Sequence, residues 1–199
     1  MDRSSPDQAL ELAFEVGRRG TLTRLTPVGS TGETVKRRVR GIELPFDDGS
    51  FVRVVCPQGL QLLPDRGPAL EEMRRVLVRD GEIEVAVPGS IEGNPPFAEL
   101  AASLERLSGV RGAAAVRWIF CMPEPDDLRG ALAAASFEDI RINVVRTTAR
   151  SQSIEAFVSR SGVDPKIVPE MGSLEQELMR IVGDPLISVE TIVGRARRV

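Results

Sequence analysis

The chain has 199 residues, 42% of them hydrophobic and 28% charged, with 26 Lys and Arg against 29 Asp and Glu for a net charge of -3. That is enough chain for one globular core of ordinary composition, with no basic excess to suit nucleic acid and no apolar run near the ~20 residues of a membrane span. His and Tyr are both absent, which excludes Ser-His-Asp and Cys-His catalysis and leaves a poor ligand set for zinc.

A general base must then be Asp, Glu, Cys or one of two lysines, Lys36 and Lys166. Cys56 and Cys121 are too few for a disulfide framework and lie in apolar surroundings, which predicts reduced, buried thiols. The N-terminal stretch MDRSSPDQ is polar and lacks the apolar segment of an export signal. The cytoplasm is therefore the expected compartment, with no membrane and no nucleic acid among the partners.

In chain order, 6–16 opens like a helix, with Ser5 as cap, Pro6 at the first position and Leu10, Ala13, Phe14 and Val16 following. LELAFEVG also reads as a strand running into a glycine turn; the helix is the reading adopted. TLTRLTPVGSTGETVKRRVRG reads as two extended segments around a Gly-Ser-Thr-Gly turn. The charges of Lys36, Arg37, Arg38 and Arg40 suit an exposed sheet edge protected against pairing. FVRVVC (51–56) is a short β-branched strand. A helix opens at Pro64-Asp65, carries Leu70, Met73, Val76 and Leu77 on one side, and ends at Asp80-Gly81. EIEVAVPG (82–89) is the next strand, and Asn94-Pro95 opens a helix that Gly109 closes. A further helix is expected over 124–137, strands over 137–148 and 186–199, and helices over 153–162 and 173–184, the last with a capping box of Ser173 and Gln176. Strands alternating with helices of 10–15 residues predict βαβ units and a largely parallel sheet.

The segment from Leu44 carries a more specific pattern. Leu44-Pro45-Phe46, Asp48-Gly49-Ser50-Phe51, Val54-Val55-Cys56, Glu72-Met73-Arg74-Arg75-Val76-Leu77 and Gly81 with EIEVAVPG resemble, in this order and spacing, the class I S-adenosylmethionine-dependent methyltransferases, in particular the group of ubiquinone and menaquinone biosynthesis. The resemblance continues more weakly through ASFEDIRI and SIEAFVSR and covers about three quarters of the chain. It implies an α/β fold, a compact Rossmann-like sheet that is mostly parallel with an antiparallel C-terminal strand. It also implies a core over 44–199 preceded by an irregular, shortened cofactor-binding segment over 1–43.

In an open parallel sheet, ligands bind beyond the carboxyl ends of the strands. Cys56-Pro57-Gln58-Gly59-Leu60-Gln61 occupies such an end, where Pro57 stops a ladder and Gly59 admits a ligand to the backbone. The resemblance therefore implies S-adenosylmethionine as cofactor, held by Glu15, Gly17, Gly20, Cys56, Pro57 and Gln58, with Leu60 and Gln61 facing a small-molecule substrate. Methyl transfer asks mainly for alignment and desolvation, so a chain without His is not disqualified.

The sequence departs from the family pattern in four places. The family's acidic residue and Gly-x-Gly-x-Gly are represented only by Glu15-Val16-Gly17-Arg18-Arg19-Gly20, with Arg19 where a glycine is needed. Only 44 − 20 − 1 = 23 residues separate Gly20 from Leu44, whereas a single βαβ unit takes about 30. Val39-Arg40-Gly41 stands where the family has Gly-Asp-Ala, and Val52 stands for an Asp. Two functions follow as expectations: methyl transfer from S-adenosylmethionine to a small molecule, or a non-catalytic relative. In the second, loss of strands and helices bares an apolar sheet edge and face that self-association, as a homodimer, would cover.

Overall fold

The computed structural model describes residues 9–17, 20–28, 37–40, 43–63, 65–150 and 186–199. Its strands are β1 (Ala9–Gly17), β2 (Gly20–Val28), β3 (Arg37–Arg40), β4 (Phe51–Pro57), β5 (Leu77–Pro88), β6 (Phe137–Arg150) and β7 (Leu186–Arg198). The helices are α1 (Gly67–Val76), α2 (Pro95–Ser108), α3 (Val110–Ile119) and α4 (Pro125–Ala134). The strands form one sheet in the order β3-β2-β1-β4-β5-β7-β6. This is the doubly wound order 3-2-1-4-5-6 with one strand inserted before the last. The expected helices over 153–162 and 173–184 lie outside the described residues.

The centre of the sheet is parallel: β1 pairs with β4, and β4 with β5. β7 runs against β5. Within this region Arg197 meets Glu82, Arg195 meets Glu84 and Arg198 reaches the carbonyl of Leu77, so one strand ascends as the other descends. The mixed α/β sheet and its antiparallel C-terminal strand agree with the expectation.

The N-terminal helix does not form. Residues 9–17 are β1, and β1 turns directly into β2 as an antiparallel hairpin whose last register pair is Gly17 with Gly20. Ala and Leu favour a helix locally, but β1 gains ladders on both sides, to β2 and to β4, and tertiary pairing overrides weak propensity. β3 then pairs antiparallel to β2 as the outermost strand, which places Arg37–Arg40 at the sheet edge. A parallel neighbour would have needed a crossover of a dozen or more residues, and only two separate β1 from β2.

A second correction concerns Asp80-Gly81. The helix stops at Val76, and the strand begins at Leu77 rather than Glu82. The register jumps from Phe51–Leu77 to Arg53–Glu82, so residues 78–81 bulge out of the ladder. Asp80 takes a left-handed φ of 63°, and a Cβ on Gly81 would lie 2.9 Å from the carbonyl of Val78. The Asp-Gly pair is thus a bulge inside a strand, a role glycine commonly fills. The third difference is α3, a helix that VRGAAAVRWI did not announce.

The chain divides into two compact units, residues 1–87, 124–143 and 192–199, and residues 88–123 and 144–191. In the first, α1 is the crossover between parallel β4 and β5 and buries Ala69, Leu70, Met73 and Val76 at helical spacing. Pro125 and an Asp127 carboxylate that accepts the Glu124 N–H open α4, and Leu128 and Leu132 face inward. Gly194 lets α4 approach β7, since a Cβ there would come within 2.9–3.0 Å of Leu128, Ile142 and Leu132. Val54, Cys56, Ile83, Val85, Ile192 and Ala196 alternate onto the buried face of the sheet. Their neighbours Arg53, Glu82, Arg195 and Arg197 are exposed, and Glu84 is half-buried. A doubly wound sheet normally buries both faces under helices; here these positions of the second face carry charge.

In the second unit α2 and α3 form a helical pair around Leu100, Ala101, Leu104, Ala113, Val116 and Phe120. Phe97 meets Phe120 edge to face at 5.1 Å. Gly109, at φ 70°, separates the two helices.

Candidate functional site at the carboxyl ends of the parallel strands

β4 leaves the sheet at Pro57, and the chain closes a compact turn. The Gln58 N–H donates to the carbonyl of Ala86 at 2.9 Å, and Gln58 itself sits at φ 63°. The Gly59 N–H donates to the Gln61 side-chain oxygen at 2.9 Å, and a 3₁₀ turn over Leu60–Leu62 follows. Leu60 and Leu63 are fully buried, and Gln61 is 3% exposed. Pro57 and Gln58 are exposed. The amide of Gln61 therefore shapes the loop from within, while Pro57 and Gln58 present the surface a ligand would meet.

Cys56 lies wholly inside. Burial pushes its thiol up to about 12, opposed only by a hydrogen bond from the Leu60 backbone. It stays protonated at working pH and supplies neither a nucleophile nor a thiolate ligand.

The hairpin tip lies beyond the same end of the sheet. Glu11 is level with Val55, so Pro57 is level with Ala13, and Gly17 projects four residues, roughly 13 Å, further. Glu15, Gly17 and Gly20 are thus on the hairpin arm, and Cys56, Pro57, Gln58, Leu60 and Gln61 are on the loop after β4.

The loop that precedes β4 is held by one clasp. Arg75 donates to both oxygens of Glu72 at 2.8 and 2.9 Å, to Asp48 at 2.7 Å, and to the carbonyls of Phe46 and Leu44 at 2.8 and 2.9 Å. The Leu44 N–H returns to Glu72 at 2.9 Å, and Phe46 packs edge to face on Phe51 at 4.9 Å. The hydrogen bonds from Arg75, ahead of burial, hold the Glu72 carboxyl below its usual range. The Leu-Pro-Phe and Met-Arg-Arg motifs are therefore two halves of one fastening.

The second unit holds a group that sequence reasoning missed. Glu190 is the one buried carboxylate among the described residues, at 8% exposure. Its Oε2 accepts from Arg146 at 2.9 Å, and its backbone is braced on both sides by the Asn94 amide, at 3.0 and 3.2 Å. A Cβ on Gly89 or Gly93 would come within 2.6 or 2.4 Å of Oε1. The two glycines bracketing Ser-Ile-Glu were the available signal: small residues just past a strand leave room for a side chain from elsewhere. Glu190 latches β7 to the turn after β5.

Residues 23–85 match the family profile described as a methyltransferase domain. Over that stretch the chain is similar to methyltransferase domains. The matched stretch runs from β2 through the clasp, β4 and α1 into β5, so it contains the loop of Pro57 and Gln58. Among solved structures the YcgJ protein of Bacillus subtilis is 16% identical with a TM-score of 0.50, covering 84% of this chain and 73% of that one. A protein of Bacillus halodurans C-125 assigned as a methyltransferase is 19% identical with a TM-score of 0.48, covering 80% and 70%. At 16% identity the likeness to the YcgJ protein concerns the fold alone.

The residues present fit S-adenosylmethionine on one side only. The loop after β4 offers the exposed Pro57 and the Gln58 side-chain amide; Gly59 is buried, and its N–H is taken by Gln61. After β1, however, only two residues separate it from antiparallel β2, so no helix N-terminus arises there to receive an anionic group. β2 runs antiparallel, which carries its carboxyl end to the opposite edge of the sheet, away from where a ribose carboxylate would be needed.

Proposed function

We propose that this methyltransferase-related chain binds S-adenosylmethionine from the β4 side and transfers its methyl group to a small molecule. The profile match across the intact loop-and-clasp region supports this reading. Pro57 and Gln58 contact the cofactor directly. Cys56 and Leu60 act from inside the core by shaping the loop, and Gln61 fixes its turn. Glu15, Gly17 and Gly20 approach from the hairpin arm. With the helix N-terminus missing, affinity is expected near the millimolar level, about 4 kcal/mol of binding. Isothermal titration with S-adenosylmethionine and S-adenosylhomocysteine tests it: saturable heat lost in Gln58→Ala supports the reading, and no heat at millimolar ligand overturns it.

One observation favours a second reading, a non-catalytic relative. The β1–β2 hairpin replaces the strand-helix-strand unit on which cofactor binding depends. In that case neither ligand binds and the fold is kept for its surfaces. The homodimer expected as a cover for a bared face is not supported by the ion pairs found at β4, β5 and β7. A monomer is the better expectation.

A further inference from the structure

The charged face of the first unit contains a hollow of about 310 Å³, lined by Arg53, Glu82, Asp139, Arg141, Arg195 and Arg197 beside Ala196. Three of its four arginines are fixed by carboxylates. Glu84 Oε2 accepts from Arg53 at 2.6 Å and from Arg195 at 2.8 Å, and Glu82 Oε1 meets Arg197 at 3.3 Å. Each of these guanidiniums has five N–H donors and uses one in its ion pair, so most of their donors stay available while the planes are held in place. Arg141 is exposed and has no ion pair or hydrogen bond among the described residues. Asp139, on the same strand, holds a left-handed φ of 51°, a costly conformation for a residue other than glycine.

Ion pairing explains the solubility of this face but leaves Arg141 unexplained. Four arginines against Glu82 and Asp139 give the lining a surplus of two positive charges, and Glu84 behind it reduces that to one. Fixed guanidinium forks match phosphoryl oxygens in bidentate geometry. The volume is at the lower end for a small-molecule site.

We propose that this hollow is a binding site for a phosphate-bearing dianion, of the pyrophosphate or phosphomonoester class, separate from the loop after β4. The proposal is independent of whether the chain binds S-adenosylmethionine.

The test is calorimetric titration of the full chain with inorganic pyrophosphate and with ADP at constant ionic strength, with sulfate and chloride as controls. Saturable binding of pyrophosphate below 1 mM is expected, at least tenfold weaker in Arg141→Ala and in Arg195→Ala, with chloride silent. ADP binding as well as pyrophosphate would make a nucleotide the source, and pyrophosphate alone would make it a free phosphate compound. Arg141→Ala removes no ion pair or hydrogen bond among the described residues, so its melting temperature without ligand should equal that of the unaltered chain. No saturable binding, or equal binding by Arg141→Ala, would leave the face a solvated ion-pair lattice and overturn the proposal.

Discussion

Arg75 concentrates more polar contacts than any other described side chain, five donated bonds to four residues. Its replacement by Met would keep much of the helix surface but strand the half-buried Glu72 carboxylate. We expect a loss of about 2–4 kcal/mol in urea unfolding, since breaking a partly buried charge pair leaves its partner unsatisfied. Glu72 sets the pH dependence of the same clasp. Its folded pKa is lowered from 4.5, so the stabilisation is full above that value and disappears as the pH falls below it. Unfolding scanned from pH 7 to pH 3 should show the unaltered chain weakening below about pH 4.5, and a Glu72→Gln variant weakening less over the same range. Cys56 gives the opposite sign. Its thiol is raised from 9.0 to about 12, so its contribution is complete below pH 9 and is lost as the pH rises towards 12. With an alkylating reagent at pH 8, Cys121 should react before Cys56, which should become accessible only with unfolding; early labelling of Cys56 would mean that the loop after β4 opens.

At the scale of elements, legibility followed the reach of the deciding contacts. β4, α1, β5, α2 and α4 could be read because each carries its own periodicity: Val54 and Cys56 alternate, and Leu70, Met73 and Val76 recur by helical turns. The β1 segment was misread because ALELAFEV satisfies a helix as well as a strand, and its partners are β2 and residues 53–55. α3 was missed because Gly112 and three consecutive alanines give little amphipathic contrast, although Ala113 and Val116 do face the core of their unit. The bulge at Asp80-Gly81 looked like a helix stop because the same dipeptide serves both. Within the loop after β4, the position of the candidate residues was legible, but not their division into buried Cys56, Leu60 and Gln61 and exposed Pro57 and Gln58. That division is made by Leu60 and Leu63 folding inward. The α4–β7 contact offers a direct check. Gly194→Ala places a methyl against Leu128, Leu132 and Ile142, and should cost about 1–3 kcal/mol by overpacking; an unchanged melting temperature would mean that those side chains yield freely.

On the scale of the whole molecule, two of the departures noted in the sequence, the altered glycine loop and the short span from Gly20 to Leu44, form one change. A turn of two residues between β1 and β2 leaves no room for a crossover helix there. On β4, β5 and β7, Arg53, Glu82, Glu84, Arg195 and Arg197 keep their part of the second face charged. Sedimentation velocity should therefore find a monomer at micromolar concentration. A concentration-dependent dimer would show that other surfaces are sticky. The described helices include none long and apolar enough to cross a membrane.

The fastening of α1 has a consequence in time. Arg198 donates to the carbonyls of Arg74 and Arg75 in the last turn of that helix and of Leu77 at the start of β5, across as many as 124 positions of chain. At roughly 5–20 residues per second on the ribosome, α1 emerges about 6 to 25 s before the side chain that finishes it. During that interval the nascent helix has a frayed end and the neighbouring β5 an open flank, which a holding chaperone would find and the arrival of β7 would then close.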